Sequence, residues 1–368
     1  LSSAASAVLS VVPMAAIEMT RFTDGRVLSS IEDIDRPPNL HGGNVLSPDT
    51  LLIERTPAMP TTAAAIDPAV DAKPTQRRLA DAERTDLSEL VDTDRYPLHD
   101  VDDPRLQAEI ARVREDLDRE GCAVLRGFLR PEALEQARDE GRELSAKSYY
   151  SSCRVNAWFT SDDESLPESD PRRHFMERTS GFVTRDMIPA DTVIQQLYVS
   201  PAMKRLVAEC LQEDEVYEYA DPFAGLVQNV LPPGTEQPWH YDTNEYIVTM
   251  MTDAPETGGE FQYCPNIRTP AGENYAGVGA VIRGEDTTTP RTLLLRPGDL
   301  QLFKGRYSLH RVTRVGGQRE RHTAIFAYSQ QPGVVGRLER TRQLYGRVSE
   351  AHIEAEKRRE VRADGLLD

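Results

Sequence analysis

Apolar residues at helical spacing mark the segment 104–120 as an amphipathic helix. These apolar positions lie four, three and four residues apart and are Leu106, Ile110, Val113 and Leu117. The helix is expected to end at Gly121, and the apolar run 122–129 predicts a short buried strand. A second helix is predicted to begin at Pro131, because proline in a first turn loses no hydrogen bond, and a third is predicted at about 201–212.

From Val216 onward the pattern changes to short alternating or apolar runs separated by Gly and Pro. These runs predict eight strands, at 225–231, 239–251, 260–264, 278–283, 291–296, 300–304, 307–315 and 319–329. Many short strands joined by turns are typical of a sandwich or barrel of antiparallel sheet. The polar, turn-rich segment 148–175 predicts a long loop, with a substrate lid as one option. We therefore expect an α+β fold in which helices flank a C-terminal β-barrel.

The first hundred residues differ in composition from the rest of the chain. Phe22 and Tyr96 are their only aromatic residues, and a segment without large apolar side chains cannot offset the entropy lost on ordering. We expect a low-complexity, disordered leader at 1–100, a folded domain at 101–345 and a charged C-terminal helix at 346–368.

The overall charge argues against a nucleic-acid-binding protein. With 43 Lys and Arg against 60 Asp and Glu, the net charge is −17, which disfavours binding to nucleic acid. The sequence contains no run of 18 apolar residues, so no membrane-spanning helix is predicted. Its four cysteines lie far apart without a C-x-x-C pair, which disfavours a disulfide framework and a cysteine zinc site. We expect a cytoplasmic protein with a small-molecule substrate. The first residue, Leu1, suggests an upstream start, with the functional protein beginning near Met59.

The strongest chemical feature is Trp239-His240-Tyr241-Asp242. On a strand, residues two apart share a face, so His240 and Asp242 point together. Taken alone, this pair is more typical of a structural hydrogen bond than of a metal site, and a lone histidine in an apolar run, such as His310, is more typical of a core residue than of a ligand. Together, two imidazoles and one carboxylate form the 2-His-1-carboxylate set that holds Fe(II) with coordination positions left open.

A cation can be placed near this set by strand register. If residues 316–317 form a two-residue hairpin turn, His310 pairs with Thr323, and Arg321 projects to the same side. A buried guanidinium there suits a two-pronged bond to a carboxylate, with the Thr323 hydroxyl beside it. An exposed cross-strand arginine is the alternative, and Arg319, nearer the rim, is a second candidate for the same role.

These residues resemble a known family. His240-x-Asp242, His310 and Arg321 are similar to the pattern of Fe(II)/2-oxoglutarate-dependent oxygenases, whose core is a double-stranded β-helix of the jelly-roll, cupin-like type. Longer strings at 258–268 and 297–312 resemble the BesD-type family of free-amino-acid halogenases and hydroxylases, with similarity over about 105–345.

The resemblance implies cofactors and a set of site residues. Fe(II), 2-oxoglutarate and O₂ are the implied cofactors, with iron held by His240, Asp242 and His310, and 2-oxoglutarate by Arg321 and Thr323. A substrate-contacting arginine in the segment before the barrel corresponds to Arg178, for which an ordinary surface arginine is the alternative.

Other substrate contacts come from the residues themselves. Asn244 shares the strand face of His240 by parity, so we expect it to face the substrate. Glu218 and Asp221 are guesses from charge, for a cationic substrate side chain. Five histidines are assigned no chemistry: His41, His99 and His352 as solvated residues, and His174 and His322 as structural ones.

One departure from the family pattern bears on the reaction. Halogenases of the BesD type carry Gly where this chain has Asp242, and chloride takes the position left open. Here the carboxylate is expected to occupy it, so hydroxylation of a free amino acid is the expected activity. A halogenase or desaturase on the same scaffold and a non-catalytic, cupin-like small-molecule binding protein remain alternatives. A homo-oligomer is possible through the charged C-terminal helix.

Overall fold

The computed structural model describes residues 86–359 and 366–367. Residues 1–85, which hold most of the predicted leader, lie outside the described residues, as do residues 360–365 of the predicted C-terminal helix. None of the helices in the described ranges is both long and apolar enough to cross a membrane.

The described part of the chain contains seven α-helices. They are α1 (Pro104–Glu120), α2 (Pro131–Ser145), α3 (Val193–Val199), α4 (Pro201–Leu211), α5 (Tyr275–Ile282), α6 (Leu338–Tyr345) and α7 (Glu350–Lys357), with short 3-10 turns at Leu87–Glu89, Pro171–Arg173 and Arg185–Met187. The Asp103 side chain caps α1 by accepting the Arg105 N–H, and Gly121 ends it at a φ of 66°, a conformation that glycine adopts without strain. The four apolar positions predicted for α1 are all buried, so this prediction is confirmed.

The strands are mostly short. They are β1 (Cys122–Leu125), β2 (Tyr149–Val155), β3 (Met176–Thr184), β4 (Tyr217–Glu218), β5 (Leu226–Leu231), β6 (Gln237–His240), β7 (Ile247–Asp253), β8 (Thr257–Gly258), β9 (Phe261–Cys264), β10 (Arg291–Leu293), β11 (Leu300–Phe303), β12 (Leu309–Val312), β13 (Val315–Gly316), β14 (Arg321–Phe326) and β15 (Tyr328–Ser329). A seven-stranded sheet has the order β1-β11-β7-β14-β5-β3-β2, and a four-stranded sheet has the order β10-β9-β12-β6. Neighbouring strands in both sheets are antiparallel.

The strand order defines a double-stranded β-helix. Along the chain, β5, β7, β11 and β14 fall in the large sheet, whereas β6, β9, β10 and β12 fall in the small one. The chain therefore passes back and forth between two four-stranded layers, β11-β7-β14-β5 and β10-β9-β12-β6, as in a jelly roll. The predicted α+β fold, a jelly-roll core flanked by helices, is confirmed.

Alternation along the large sheet separates a helix-facing side from a cavity-facing side. Val248, Met250 and Phe326 join the core formed with the N-terminal helices. Their strand neighbours Thr249 and Ile325 instead line a cavity. Since successive side chains on a strand point to opposite faces, the sheet packs on the helices with one face and borders the cavity with the other.

Three predictions of local structure were wrong. The predicted strand 278–283 is helix α5, whose N-cap is Asn274, because a short apolar run is compatible with either element. The predicted strand 239–251 is two strands, β6 and β7, in opposite sheets. The expected loop 148–175 begins with β2, which pairs with β3 and extends the large sheet.

The predicted hairpin around residues 316–317 does not form. His310 is paired with His240 and Tyr263 in the small sheet, whereas Thr323 lies opposite Asn229 and Met251 in the large sheet. The chain between β12 and β14 crosses from one sheet to the other. Thr323 and His310 therefore belong to facing sheets and are not neighbours in one.

Ordered structure begins before the predicted boundary at residue 101. Leu87, Val91 and Tyr96 are buried in the same core as α1. The Tyr96 hydroxyl donates to the Arg126 carbonyl oxygen at 2.7 Å, and its ring lies 5.4 Å from that of Phe128. Residues 86–100 are thus an integral part of the folded domain and do not belong to a leader.

Candidate active site

His240, Asp242 and His310 lie together at one end of the small sheet. Their ligand atoms are all within 4.8 Å of one another, and no other cluster with this spacing of His, Cys, Asp or Glu occurs among the residues that the structure describes. The Asp242 carboxylate is 3.3 Å from Nε2 of His310 and 4.0 Å from Nε2 of His240. Two imidazoles on adjacent strands and one carboxylate in the loop after β6 form a three-sided face, the metal face, with the donor set that suits a metal ion.

Backbone groups fix the orientation of both imidazoles. Nδ1 of His240 donates to the Pro238 carbonyl oxygen at 2.8 Å, and Nδ1 of His310 donates to the Ser308 carbonyl oxygen at 3.0 Å. Each Nδ1 therefore carries a proton, and each Nε2 is the ring nitrogen that lies near Asp242. This is the arrangement in which metal-binding histidines are held by a second hydrogen bond.

Aromatic rings pack against both imidazoles. The rings of Phe261 and Phe303 lie 5.7 and 4.8 Å from that of His310, and the Phe159 ring lies 5.6 Å from that of His240. Burial, followed by the neighbouring His310, lowers the pKa of His240 well below its usual value. Burial raises the pKa of the Asp242 carboxyl. Burial therefore favours the neutral form of the His240 imidazole, which is the form that binds a metal, and a divalent cation bound beside it would compensate the charge of the Asp242 carboxylate.

Arg321 and Thr323 face the same cavity from the large sheet. The Arg321 guanidinium is buried, donates from Nε to the Gly259 carbonyl oxygen at 3.0 Å and donates from Nη1 to the Thr323 hydroxyl. No carboxylate of the described residues forms an ion pair with it, and burial lowers its pKa to about 10. Arg319 is exposed and outside the cavity. The arrangement fits a ligand carboxylate bound by Arg321.

Arg178 and Asn244 also line the cavity of about 1320 Å³ that contains the metal-binding residues. Arg178, on β3, is buried, and its Nη1 has no hydrogen-bond partner. Burial lowers its pKa. Asn244 lies in the loop after β6 and accepts a hydrogen bond from the Tyr219 hydroxyl. The structure thus brings both predicted substrate residues to the cavity, although Asn244 reaches it from a loop and not from a strand.

The carboxylates guessed to bind a cationic substrate are already engaged. Asp221 accepts hydrogen bonds from the backbone N–H groups of Phe223, Ala224 and Gly336, and from Nε2 of His352 at 3.0 Å. Glu218 pairs with Arg185 and Lys204. Neither carboxylate is among the cavity-lining residues, so both guesses were wrong.

The remaining histidines lie away from the cavity. His352, expected to be solvated, is fully buried: Nδ1 bonds to the Ser349 hydroxyl at 2.6 Å and Nε2 bonds to Asp221. The charge pattern of its helix gave no sign of this tertiary contact. His322 is buried beside Glu320, and His174 and His99 are exposed. His41 lies outside the described residues.

Sequence reasoning missed Arg340, which lies on α6 and lines the cavity. Its guanidinium lies 3.4 Å from the centre of the Phe159 ring and donates from Nη1 to Gln343 at 2.8 Å. Burial, followed by the charge of Arg178, lowers its pKa to about 9. The only local signal was a run rich in arginine after the last barrel strand, which is equally typical of a solvated helix.

The family follows from a match that covers the cavity-forming part of the chain. Residues 106–343, more than half of the sequence, match the family model described as Halogenase D. The chain belongs to the Halogenase D family. The matched range contains His240, Asp242, His310, Arg321 and Arg340. No curated protein is similar enough in sequence to match this Halogenase D family member.

Solved structures are similar to this chain at low sequence identity. A 2OG-Fe(II) oxygenase family oxidoreductase from Burkholderia pseudomallei is 16% identical, with 61% of this chain and 92% of that chain covered, at a TM-score of 0.40. A prolyl-4-hydroxylase from Pseudomonas putida is 15% identical, with 59% and 96% covered, at 0.37. HygX from Streptomyces hygroscopicus, solved with nickel, 2-oxoglutarate and hygromycin B, is 12% identical, with 59% and 86% covered, at 0.39. The assignment of the jelly roll rests on the strand order described above.

Proposed function

We propose that this protein is an Fe(II)- and 2-oxoglutarate-dependent oxygenase that hydroxylates an unactivated C–H bond of a free amino acid or a similar small molecule. The observation that supports the proposal is that two sets of residues line one cavity. His240, Asp242 and His310 line it from one side. Arg321, which forms no ion pair with any described residue, and Thr323 line it from the other. A metal face and a buried carboxylate receptor within one cavity suit a chelating dicarboxylate.

Different residues are proposed to bind the iron, the 2-oxoglutarate and the substrate. His240, Asp242 and His310 hold iron on one face and leave the cavity side open, while Arg321 and Thr323 bind the distal carboxylate of 2-oxoglutarate. Iron and 2-oxoglutarate, when bound, supply the oxidation of a C–H bond by O₂, with decarboxylation of 2-oxoglutarate to succinate and CO₂. Phe159, Phe261 and Phe303 shield the centre from water, and Arg178 and Asn244 orient the substrate.

Asp242 favours hydroxylation over halogenation within the Halogenase D family. Its carboxylate lies 3.3 Å from Nε2 of His310 and 4.0 Å from Nε2 of His240, so it would serve as a third protein ligand to a metal held there. A halide ion that binds to the metal needs a free coordination position. The same scaffold with a glycine at this site would offer that position, whereas this chain fills it with a protein oxygen.

The proposal is tested by supplying the twenty amino acids individually with Fe(II), 2-oxoglutarate, ascorbate, O₂ and chloride. We expect one or more products that gain one oxygen atom, with succinate formed in equal amount, by mass spectrometry. A chlorinated product would identify a halogenase, and loss of two hydrogens a desaturase. If no amino acid gave a product or stimulated succinate formation, the assignment to free amino acids would be wrong.

A further inference from the structure

Two arginine side chains, one from β3 and one from α6, line the same cavity. Arg178 on β3 is paired across the sheet with Cys153 on β2. The Cys153 thiol accepts a hydrogen bond from Gln343, which in turn accepts one from Arg340 at 2.8 Å. This chain of contacts places the α6 arginine next to the β3 arginine, and both line the same cavity as the metal-binding residues.

No carboxylate of the described residues forms an ion pair with either guanidinium. Of the carboxylates that line the cavity, Asp242 belongs to the metal face, Glu354 pairs with Lys357, and Glu356 pairs with Arg359. The buried Nη1 of Arg178 has no hydrogen-bond partner at all. Two cations that line one cavity without an ion-pair partner among the described residues are unfavourable, because desolvation and like-charge repulsion both oppose ionisation. An anionic ligand group between them would remove both penalties.

The charges of the proposed cofactors do not supply this anion. A divalent iron, Asp242, Arg321 and the two carboxylates of 2-oxoglutarate neutralise one another. The charges of Arg178 and Arg340 are then left for the substrate. A zwitterionic amino acid with a neutral side chain brings one carboxylate and one ammonium group, which cancel.

Among the described residues, the carboxylates that line the cavity besides Asp242 are Glu354 and Glu356, and each already pairs with a basic side chain of its own helix end. Asp221 and Glu218, the carboxylates that could have served a cationic side chain, are engaged elsewhere in the fold. Thr243 and Asn244, in the loop after the metal-binding His240, offer neutral oxygen atoms.

We propose that the substrate is a net-anionic acid whose oxyanion is bound between Arg178 and Arg340, as in an amino acid with an acidic side chain and unlike one with a basic side chain. This inference rests on the proposed function, because it takes the cavity to be the substrate site of an oxygenase. The recognised group is an oxyanion, either a carboxylate or a phosphate.

Binding experiments test the inference without turnover. L-Aspartate, L-glutamate, O-phospho-L-serine, L-lysine and L-ornithine are titrated by calorimetry, under anaerobic conditions, into protein loaded with Fe(II) and 2-oxoglutarate. We expect at least one acidic ligand to bind about 30-fold or more tightly than the basic ones, since a buried charge pair is gained in one case and a like charge is introduced in the other. The phosphoserine arm distinguishes phosphate from carboxylate recognition.

Variants assign the effect to the two arginines. Arg340→Gln and Arg178→Gln are each expected to weaken binding of the acidic ligand about 30-fold while the Kd of 2-oxoglutarate stays unchanged. Arg342→Gln is the matched control on the same helix, because Arg342 is exposed, pairs with Glu339 and does not line the cavity. Unchanged unfolding temperatures would show that the variants are folded. If one arginine variant fails to fold, the other provides the comparison.

The outcomes separate this inference from the proposed function. Protein that binds Fe(II) and 2-oxoglutarate but binds L-lysine as well as the acids, or binds none of the acids, would overturn the inference and leave the oxygenase assignment standing. Protein that binds neither cofactor would overturn the oxygenase assignment. In that case the same acids are tested for a rise in the unfolding temperature of the metal-free protein, because the two arginines are positioned by the fold alone. No rise with any acid would then overturn the inference as well.

Discussion

Gly305 lies directly against the Asp242 carboxylate, and its carbonyl oxygen accepts the Asp242 backbone N–H at 3.1 Å. A β-carbon on Gly305 would overlap the Asp242 side-chain oxygen Oδ2. The absence of a side chain at residue 305 is therefore what lets this carboxylate occupy the metal face, while the backbone bond holds it there.

Replacing Gly305 by Ala should displace the carboxylate and weaken Fe(II) binding about 10- to 100-fold, as loss of a positioning contact does in other metal sites. Anaerobic calorimetry with Fe(II) measures the effect. Gly272→Ala is the control, because a β-carbon there meets no heavy atom within 4 Å. Unchanged Fe(II) affinity in Gly305→Ala would show that Asp242 does not depend on this glycine.

Asp242→Gly should abolish hydroxylation, because the metal face loses its only carboxylate. Metal-free protein should keep its stability, since burial raises the pKa of Asp242 and its removal relieves a desolvation cost. Oxygenated product is measured by mass spectrometry, and unfolding is followed by circular dichroism. Full hydroxylation by the variant would show that the iron ligands are misassigned.

Arg321→Gln should raise the Kd of 2-oxoglutarate about 30-fold or more, because a buried carboxylate would lose its charged partner. Arg319→Gln is the matched control, two residues away and exposed. Binding of 2-oxoglutarate to the Fe(II) protein without O₂ is the measurement. Equal effects in the two variants would contradict the assignment of the 2-oxoglutarate site to Arg321.

Asp221→Asn should destabilise the protein by about 2–3 kcal/mol near neutral pH. The amide NH₂ group would face the N–H donors of His352 and Gly336, and these donors would lose the carboxylate oxygen that accepts their hydrogen bonds. Although burial alone would raise it, the pKa of Asp221 is lowered, chiefly by the hydrogen bond from His352. A lowered folded-state pKa stabilises the protein above the unfolded value of about 3.9, and this stabilisation is lost as the pH falls through the folded-state value.

The difference in unfolding free energy between wild type and Asp221→Asn should therefore shrink below about pH 4. Urea unfolding at pH 7 and pH 3.5 measures it. Glu339→Gln, which removes an exposed partner of Arg342, should change stability by less than about 0.5 kcal/mol. A difference between wild type and Asp221→Asn that grows on acidification would contradict the assigned charge state.

Tyr96→Ala should cost about 3–5 kcal/mol, because Tyr96 is fully buried against Phe128. Tyr96→Phe, which removes only the hydrogen bond to the Arg126 carbonyl oxygen, should cost about 1 kcal/mol. Chemical unfolding of both variants is the measurement. Little change in either would place Tyr96 outside the cooperative fold.

Some features were predictable because neighbouring residues specify them. The α1 helix was found from the spacing of its apolar face, and most barrel strands from short apolar runs between turns. The inward placement of Arg321 was expected, but for the wrong reason: it was argued from a hairpin that does not form. Strand alternation in the large sheet gives Arg321 the same inward direction, since a side chain's face depends on parity and not on its partner strand.

Other features depend on residues far apart in the chain. The buried pair of Asp221 and His352 joins positions 131 residues apart, and nothing near either residue specifies the other. Arg340 was overlooked for the same reason, because a cation on a polar helix is usually solvated and only the packing of α6 beside the cavity makes it a lining residue.

The sequence by itself determined the metal-binding residue types, the jelly-roll class of fold and the net negative charge, because each is recorded in local order or composition. The tertiary structure decided which strands share a sheet and which carboxylates already have ion-pair partners. It also decided that Arg178 and Arg340 line the same cavity as the metal face. Burial and charge pairing arise only when distant segments pack together, and they set the chemistry of the cavity.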